Sequence, residues 1–278
     1  MLSLLMLLLP KPLAVSLTEL AADAKQANIY RQTMGKRMEF FARKFIDTPY
    51  VGATLDQNPT EEKCTVLLGG LDCVTFMETV FALARTPNPT EEKLKAAVTK
   101  TRYWGGNVDG YLSRLHYTTD WFFDNARKGT ITDLSAKLPG AMPFTRKVGY
   151  MSAHPDRYAA LKANPSLLPK LKEQEAENNA RAKWYIPISA LPQAEKQLKT
   201  GDIIGLVGGV DGIDISHVGL IIVEDQVPHF VHASSVRKLV TFDKRLSDYL
   251  AGSKTEGIII ARPRLPSPDG SVSHMRRT

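Results

Sequence analysis

The chain has 278 residues, 43% of them hydrophobic and 23% charged, which is the balance of a soluble globular protein. That length accommodates one large domain, or a smaller domain carrying an elaborate insertion. The formal net charge of +7 suits nucleic acid, an anionic substrate or a solvated surface. The basic residues are scattered, however, without a zinc knuckle or an RNA-binding aromatic signature, so nucleic acid is not an expected partner. With Cys64 and Cys73 as the only cysteines, a disulfide-stapled fold is excluded.

Residues 2–9 form an apolar run, followed by Pro10, Lys11, Pro12 and the small residues Ala14 and Ser16. This is the later part of a secretory signal without its basic start, and it is too short to span a bilayer. Residues 1–16 therefore read as a signal-like leader, with a buried or unstructured N-terminus as the other reading. The protein is expected to be exported, in the periplasm, without stable membrane insertion. Over residues 17–46, Met38, Phe41 and Phe45 recur at helical spacing, and the helices should end before Thr48-Pro49. Residues 72–84 form a second helical segment with Cys73, Phe76, Val80 and Leu83 on one face, and residues 91–102 a third. Residues 103–190 are polar and aromatic with several prolines, and read as a helical insertion with a charged helix near 167–183. Residues 202–207, 217–223, 229–233 and 257–262 are short β-branched runs broken by Gly, Asp and Pro, the marks of an antiparallel sheet. Helices first and strands later is the order of an α+β fold, here one domain over residues 17–265. The Ser-, Pro- and Arg-rich tail over 266–278 is expected to be disordered.

Cys73 follows Gly69-Gly70-Leu71-Asp72 and falls in the first turn of its helix. Unpaired amides and the helix dipole there favour a thiolate, lowering the cysteine's pKa, and the same amides can hold an oxyanion. From position alone, the commoner reading of Cys73 is a small buried hydrophobe. Cys64, with no such helix start, takes that second reading.

A thiol nucleophile needs a base, and the base needs an orienting partner. His217 lies in Ile215-Ser216-His217-Val218-Gly219 and His232 in Phe230-Val231-His232-Ala233-Ser234, on what read as successive strands. Adjacent antiparallel strands can bring both imidazoles to one face, so His232 could hold the ring of His217. A structural role for either histidine stays open at this point. His229 and His232 are an odd interval apart and should face opposite sides of the sheet, which weakens a zinc reading of His217, His229 and His232. Neither a His-Glu-x-x-His helix nor a phosphate-cradling glycine loop occurs.

The segments Leu71-Asp72-Cys73, Ser216-His217-Val218-Gly219 and Val231-His232-Ala233-Ser234-Ser235 resemble the NlpC/P60 superfamily of papain-fold hydrolases. Thr48-Pro49-Tyr50-Val51-Gly52 is similar to the stretch before that superfamily's nucleophile. A narrower likeness, to the DUF1460 branch, rests on Leu71-Asp72-Cys73-Val74-Thr75-Phe76-Met77-Glu78 and Arg102-Tyr103-Trp104-Gly105-Gly106. It continues through Tyr111, Ser113-Arg114-Leu115-His116-Tyr117, Asp120-Trp121 and Asp214-Ile215-Ser216-His217. The resemblance covers roughly residues 37–263.

That resemblance implies a papain-like fold, with the nucleophile helix packed on an antiparallel sheet. It also implies cysteine amidase activity on the bond between N-acetylmuramic acid and L-alanine, with 1,6-anhydro-muropeptides as substrates and no cofactor. Cys73 carries over as nucleophile, His217 as base, His232 as orienting residue and Tyr50 as a neighbour of the nucleophile. The stretch 102–121 is the candidate substrate wall. Arg114 is placed to pair with a stem-peptide carboxylate, Tyr111 or Trp121 to stack on a sugar, and His116 is grouped with them. The bland reading of the same stretch is an aromatic core with Arg114 as a structural clamp. A stem-peptide endopeptidase, an acyltransferase of the same fold and a wall-binding module without catalysis are the rival functions.

Overall fold

The computed structural model describes residues 15–266; the expected leader up to residue 14 and the tail from residue 267 lie outside them. The first part of the chain is helical: α1 (Leu17–Gln26), α2 (Met34–Lys44), α3 (Cys73–Arg85), α4 (Glu91–Arg102) and α5 (Thr118–Arg127). Ser16, Thr33, Asp72 and Thr90 cap the first four, each accepting a hydrogen bond from the amide three residues on. The start of α5 has no cap of its own; the distant Asp214 carboxylate accepts from both the amide and the hydroxyl of Thr119 at 2.7 Å. Every residue of α3 from Thr75 to Ala84 is buried, which makes it the central helix.

Next come β1 (Ile131–Asp133), β2 (Met142–Pro143), α6 (Tyr150–Ala153), α7 (Ala159–Ala163), α8 (Leu168–Ala180), β3 (Trp184–Pro187) and α9 (Leu191–Ala194). The chain then forms β4 (Ile203–Val207), β5 (Ile215–Glu224), β6 (Val227–Ser234), β7 (Leu239–Arg245), α10 (Leu246–Leu250) and β8 (Gly257–Pro263). The strands form one antiparallel sheet in the order β2-β3-β8-β4-β5-β6-β7, with β1 also pairing β8. Two expectations change. The segment 103–190 is not only helical, since β1, β2 and β3 lie within it and join the common sheet. The strand β7 was not foreseen, because Lys238, Asp243, Lys244 and Arg245 give it a turn-like charge pattern.

The sheet is covered on both faces, and alternation sorts its side chains. Val218, Leu220, Ile222, Val231 and Ala233 face the larger core with Phe76, Met77 and Val80 of α3. Ile204, Leu206, Ile221, Phe230, Ile258 and Ile260 face a second core closed by Leu191, Leu246 and Leu250. A buried ion pair ties α4 to α3, with Arg102 Nε donating to Glu78 at 2.7 Å and Arg102 Nη1 to the Thr65 carbonyl at 2.6 Å. Among the described residues no helix is long and apolar enough to cross a membrane.

Candidate active site

The site begins at the start of α3. Asp72 Oδ1 accepts from the Thr75 amide at 2.8 Å, and Thr75 Oγ1 accepts from the Asp72 amide at 2.9 Å. This capping box fixes the turn that carries Cys73. Ahead of it, Leu71 exchanges backbone hydrogen bonds with Pro49 and Val51, both 3.1 Å, and this brings Tyr50 beside the start of α3. Gly70 is required for that close approach rather than for a turn: a Cβ there would sit 2.6 Å from a Val51 methyl.

The other half comes from the sheet. Asp225 and Gln226, with φ of 46° and 64°, make the two-residue turn of the β5–β6 hairpin and set its register at Leu220 opposite Val231. With that register His217 and His232 share a face, and His217 Nε2 lies 2.7 Å from His232 Nδ1. The rings stand edge to face, and Phe230 stacks under His232. Gly219 leaves room for this, since a Cβ there would meet the Phe230 ring at 2.5 Å. The β5–β6 ladder stops at Leu220, although Val218 directs its amide toward the same side as Leu220. That unzipped amide reaches the Cys73 thiol and favours its ionised form, as do the amides of Val74 and Cys73 itself.

These amides do not prevail. Burial, followed by the Asp72 carboxylate, pushes the Cys73 thiol up to about 11. The expectation that the helix start lowers this pKa is thus corrected: desolvation of the anion and a like charge next door outweigh three amide dipoles. Burial, followed by the neighbouring His232, holds His217 down at about 3, and burial holds His232 at about 4 against the pull of Asp243. The resting site therefore holds a neutral thiol and two neutral imidazoles at pH 7. Among the described residues His217 Nδ1 has no hydrogen-bond partner.

Cys73 and His217 line one cleft of about 330 Å³, together with Asp72, Val74, Ser216 and Val218. The facing wall comes from the segment 103–190 and includes Tyr111, Arg114, His116, Tyr117, Tyr150 and Tyr158. Tyr150 and Tyr158 were not foreseen, because nothing local links them to Cys73. Of the expected substrate residues, Tyr111 and His116 lie on the cleft. His116 Nε2 donates to the Tyr111 carbonyl at 2.9 Å, and burial, aided by Arg114, holds the ring down at about 3. Tyr50 adjoins Cys73, whose thiolate, after burial itself, contributes to the raised pKa of the phenol.

One of the expected substrate contacts is corrected. Trp121 is only 3% exposed and packs in the core edge-on to Phe81 and Phe122, away from the cleft. Arg114 lines the cleft with its Nε unpartnered among the described residues, while the rest of its guanidinium acts as a clamp. It donates to Asp56 at 2.6 Å and to the Leu55 carbonyl at 3.2 Å, with Glu62 at 3.5 Å. Cys64 is buried and desolvation raises its pKa, as its bland reading required. Asp243 on β7 went unnoticed in the sequence; its Oδ2 lies 3.7 Å from His232 Nε2 and 3.2 Å from Arg237 Nη2. Among the described residues no group of three or more His, Cys, Asp or Glu is gathered as a metal site.

Comparison with known proteins adds the family. A crystal structure of an N-acetylmuramoyl-L-alanine amidase from Bacteroides uniformis is 33% identical, with a TM-score of 0.77 over 83% of this chain and 99% of that one. A Bacteroides fragilis structure provisionally named a xylanase is also 33% identical, with a TM-score of 0.73 over 80% of this chain and 99% of that one. A Legionella pneumophila protein assigned to DUF1460 is 24% identical, with a TM-score of 0.69 over 88% of this chain and 93% of that one, and shares the fold. No curated protein matches. The model of the AmiA-like family, described as N-acetylmuramoyl-L-alanine amidase-like, matches residues 40–258, most of the chain, and the protein belongs to that family.

Proposed function

We propose that the protein is a papain-like cysteine amidase of the NlpC/P60 kind that cleaves the bond between N-acetylmuramic acid and L-alanine, preferring 1,6-anhydro-muropeptides. The observation that carries this reading is the cleft itself. A helix-start thiol and an imidazole line it together, and that imidazole is held at 2.7 Å by a second one. Family membership and the amidase name of the Bacteroides uniformis protein support the bond and the peptidoglycan substrate. The wall contributed by residues 103–190 supports a preference for small fragments, because it narrows the cleft against a polymer. The protein acts after export, in the periplasm. A glycosidase would need two free carboxylates facing across the cleft. Here Asp72 and Asp214 cap helices and Asp56 pairs with Arg114, which disfavours that chemistry.

In this mechanism Cys73 Sγ attacks the lactyl carbonyl as His217 Nδ1 takes the thiol proton. The thiol is neutral at rest, so proton transfer and attack run together. The carbonyl oxygen becomes an oxyanion held by amides at the start of α3. Protonated His217 then gives its proton to the alanine nitrogen, the C–N bond breaks, and the peptide leaves with a free amine. Water, deprotonated by His217, hydrolyses the thioester and releases the muramic carboxylate. Tyr111 and His116 border the substrate. Incubation of a disaccharide-tetrapeptide and its anhydro form, followed by mass spectrometry, should give free tetrapeptide plus disaccharide, faster from the anhydro form. Products that keep L-alanine on the sugar would instead mark a stem-peptide endopeptidase, and equal rates would remove the end-group preference.

A further inference from the structure

The geometry points to Asp243 as a positioning residue that keeps the proton of His232 on Nε2, and thereby leaves Nδ1 of His217 bare to receive the proton of Cys73. The inference rests on the cysteine-amidase reading. A neutral pair of imidazoles joined between His217 Nε2 and His232 Nδ1 has two arrangements. In one, His217 donates from Nε2, its Nδ1 is a free base, and His232 carries its proton on Nε2. In the other, His232 donates from Nδ1, and His217 carries its proton on Nδ1 and cannot accept another. Only the first serves catalysis, and the choice between them is made at the far end, on His232 Nε2.

That atom is buried without a hydrogen-bond partner, and the Asp243 carboxylate lies 3.7 Å away. A carboxylate accepts and does not donate, so it favours an N–H at this nitrogen and repels a bare lone pair. Asp243 is itself held. Its Oδ1 accepts from the Lys244 amide at 2.8 Å, and Arg237 lies 3.2 Å from Oδ2 while donating to Thr241 at 3.0 Å. The other groups around His232 are His217 on β5, and the rings of Phe230 on β6 and Tyr249 on α10. Asp243 and the Ala233 backbone favour the charged ring and Arg237 opposes it; burial exceeds them all, so the relay works as a choice of tautomer.

The test separates the relay from turnover. In ¹⁵N-histidine-labelled Cys73→Ala protein, the nitrogen chemical shifts of His217 and His232 should report both rings as Nε2–H. In Asp243→Asn the Lys244 amide keeps the carboxamide oxygen at the Oδ1 position, so the NH₂ faces His232 and both rings should switch to Nδ1–H. With Cys73 restored, Asp243→Asn should lose up to about 10⁴-fold in kcat with KM little changed, the cost of a wrong-tautomer base in a triad. Asp243→Glu should recover part of that loss. Nε2–H tautomers persisting in Asp243→Asn, or a folded Asp243→Asn enzyme within threefold of wild type, would overturn the assignment. The Arg237 side chain is 55% exposed, so its replacement leaves no buried cavity. Arg237→Gln should keep the tautomers and move the acid limb of the rate profile to higher pH, and a limb that stays or falls counts against the relay. Failure of the cysteine reading would show separately, as activity in Cys73→Ala.

Discussion

Asp72→Asn isolates the electrostatics of the Cys73 thiol. Asparagine caps a helix about as well as aspartate, and its amide oxygen can keep the 2.8 Å bond from the Thr75 amide. What disappears is the negative charge that, after burial, contributes most to raising the Cys73 thiol. At an effective dielectric near 20, a unit charge within about 4–6 Å is worth about 3–4 kcal/mol, or about two to three decades in the ionisation constant. The cleft admits water beside Asp72, so one to two decades is the expected range. The thiolate fraction at pH 7 should therefore rise about 10- to 100-fold, while the weaker basicity of the sulfur trims the gain in alkylation rate to about 3- to 10-fold. Loss of the charge–dipole contact costs the helix only about 0.3–1 kcal/mol. The assay is the rate of iodoacetamide labelling of the Cys73 peptide as a function of pH, by mass spectrometry in a Cys64→Ser background. With the thiol near 11, the wild-type rate should climb through the alkaline range without levelling at neutral pH. An unchanged or slower Asp72→Asn, or a wild-type plateau that begins in mild acid, would refute the argument, the plateau because it reveals a preformed thiolate–imidazolium pair.

Cys73→Ala should abolish hydrolysis in a folded protein while Cys64→Ser, altering a buried thiol away from the cleft, keeps it; activity within tenfold of wild type in Cys73→Ala would remove the cysteine mechanism. Among the histidines, His217→Ala should be the most damaging, His232→Ala intermediate and His229→Ala mild, since His229 Nδ1 bonds the Asp243 carbonyl and lies outside the cleft. Steady-state kinetics with His229 as costly as His217 would break that ordering. Arg102→Ala should cost about 3–5 kcal/mol, because it strands the buried Glu78 carboxylate and the Thr65 carbonyl. Urea unfolding measures this, and a loss under about 1 kcal/mol would mean that water or rearrangement satisfies Glu78.

How far the site could be read from sequence depended on whether its signals were local. A helix start is local: Asp72 followed by Thr75 announces a cap, and the apolar spacing after Cys73 announces the helix, so α3 and α4 match their expected spans closely. The facing of His217 and His232 was also accessible, because strand parity and a two-residue hairpin determine it once both strands are recognised. Asp243 was out of reach for the same reason in reverse. Its strand β7 alternates poorly, ends in three consecutive charged residues and contains a register shift opposite β6, so no period-2 pattern marks it. A residue on an unrecognised strand cannot be assigned a face, and therefore cannot be paired with His232.

The thiol's pKa and the substrate wall were harder, because both depend on distant parts of the chain. The dipole at a helix start can be inferred from one turn of sequence, but the desolvation that outweighs it depends on what the whole fold packs around the thiol. Arg114 and Trp121 stand in a stretch dense with aromatic and charged residues, which is equally the composition of a binding surface and of a well-anchored loop. What separates the two is whether a polar group is already satisfied. Arg114 spends both terminal nitrogens of its guanidinium on Asp56, Leu55 and Glu62, with Nε left unpartnered, so the loop is held in place. His116 lines the cleft and spends Nε2 on the Tyr111 carbonyl. The same five-residue motif thus supplies a structural anchor and a cleft-lining imidazole, and composition alone does not tell the two apart.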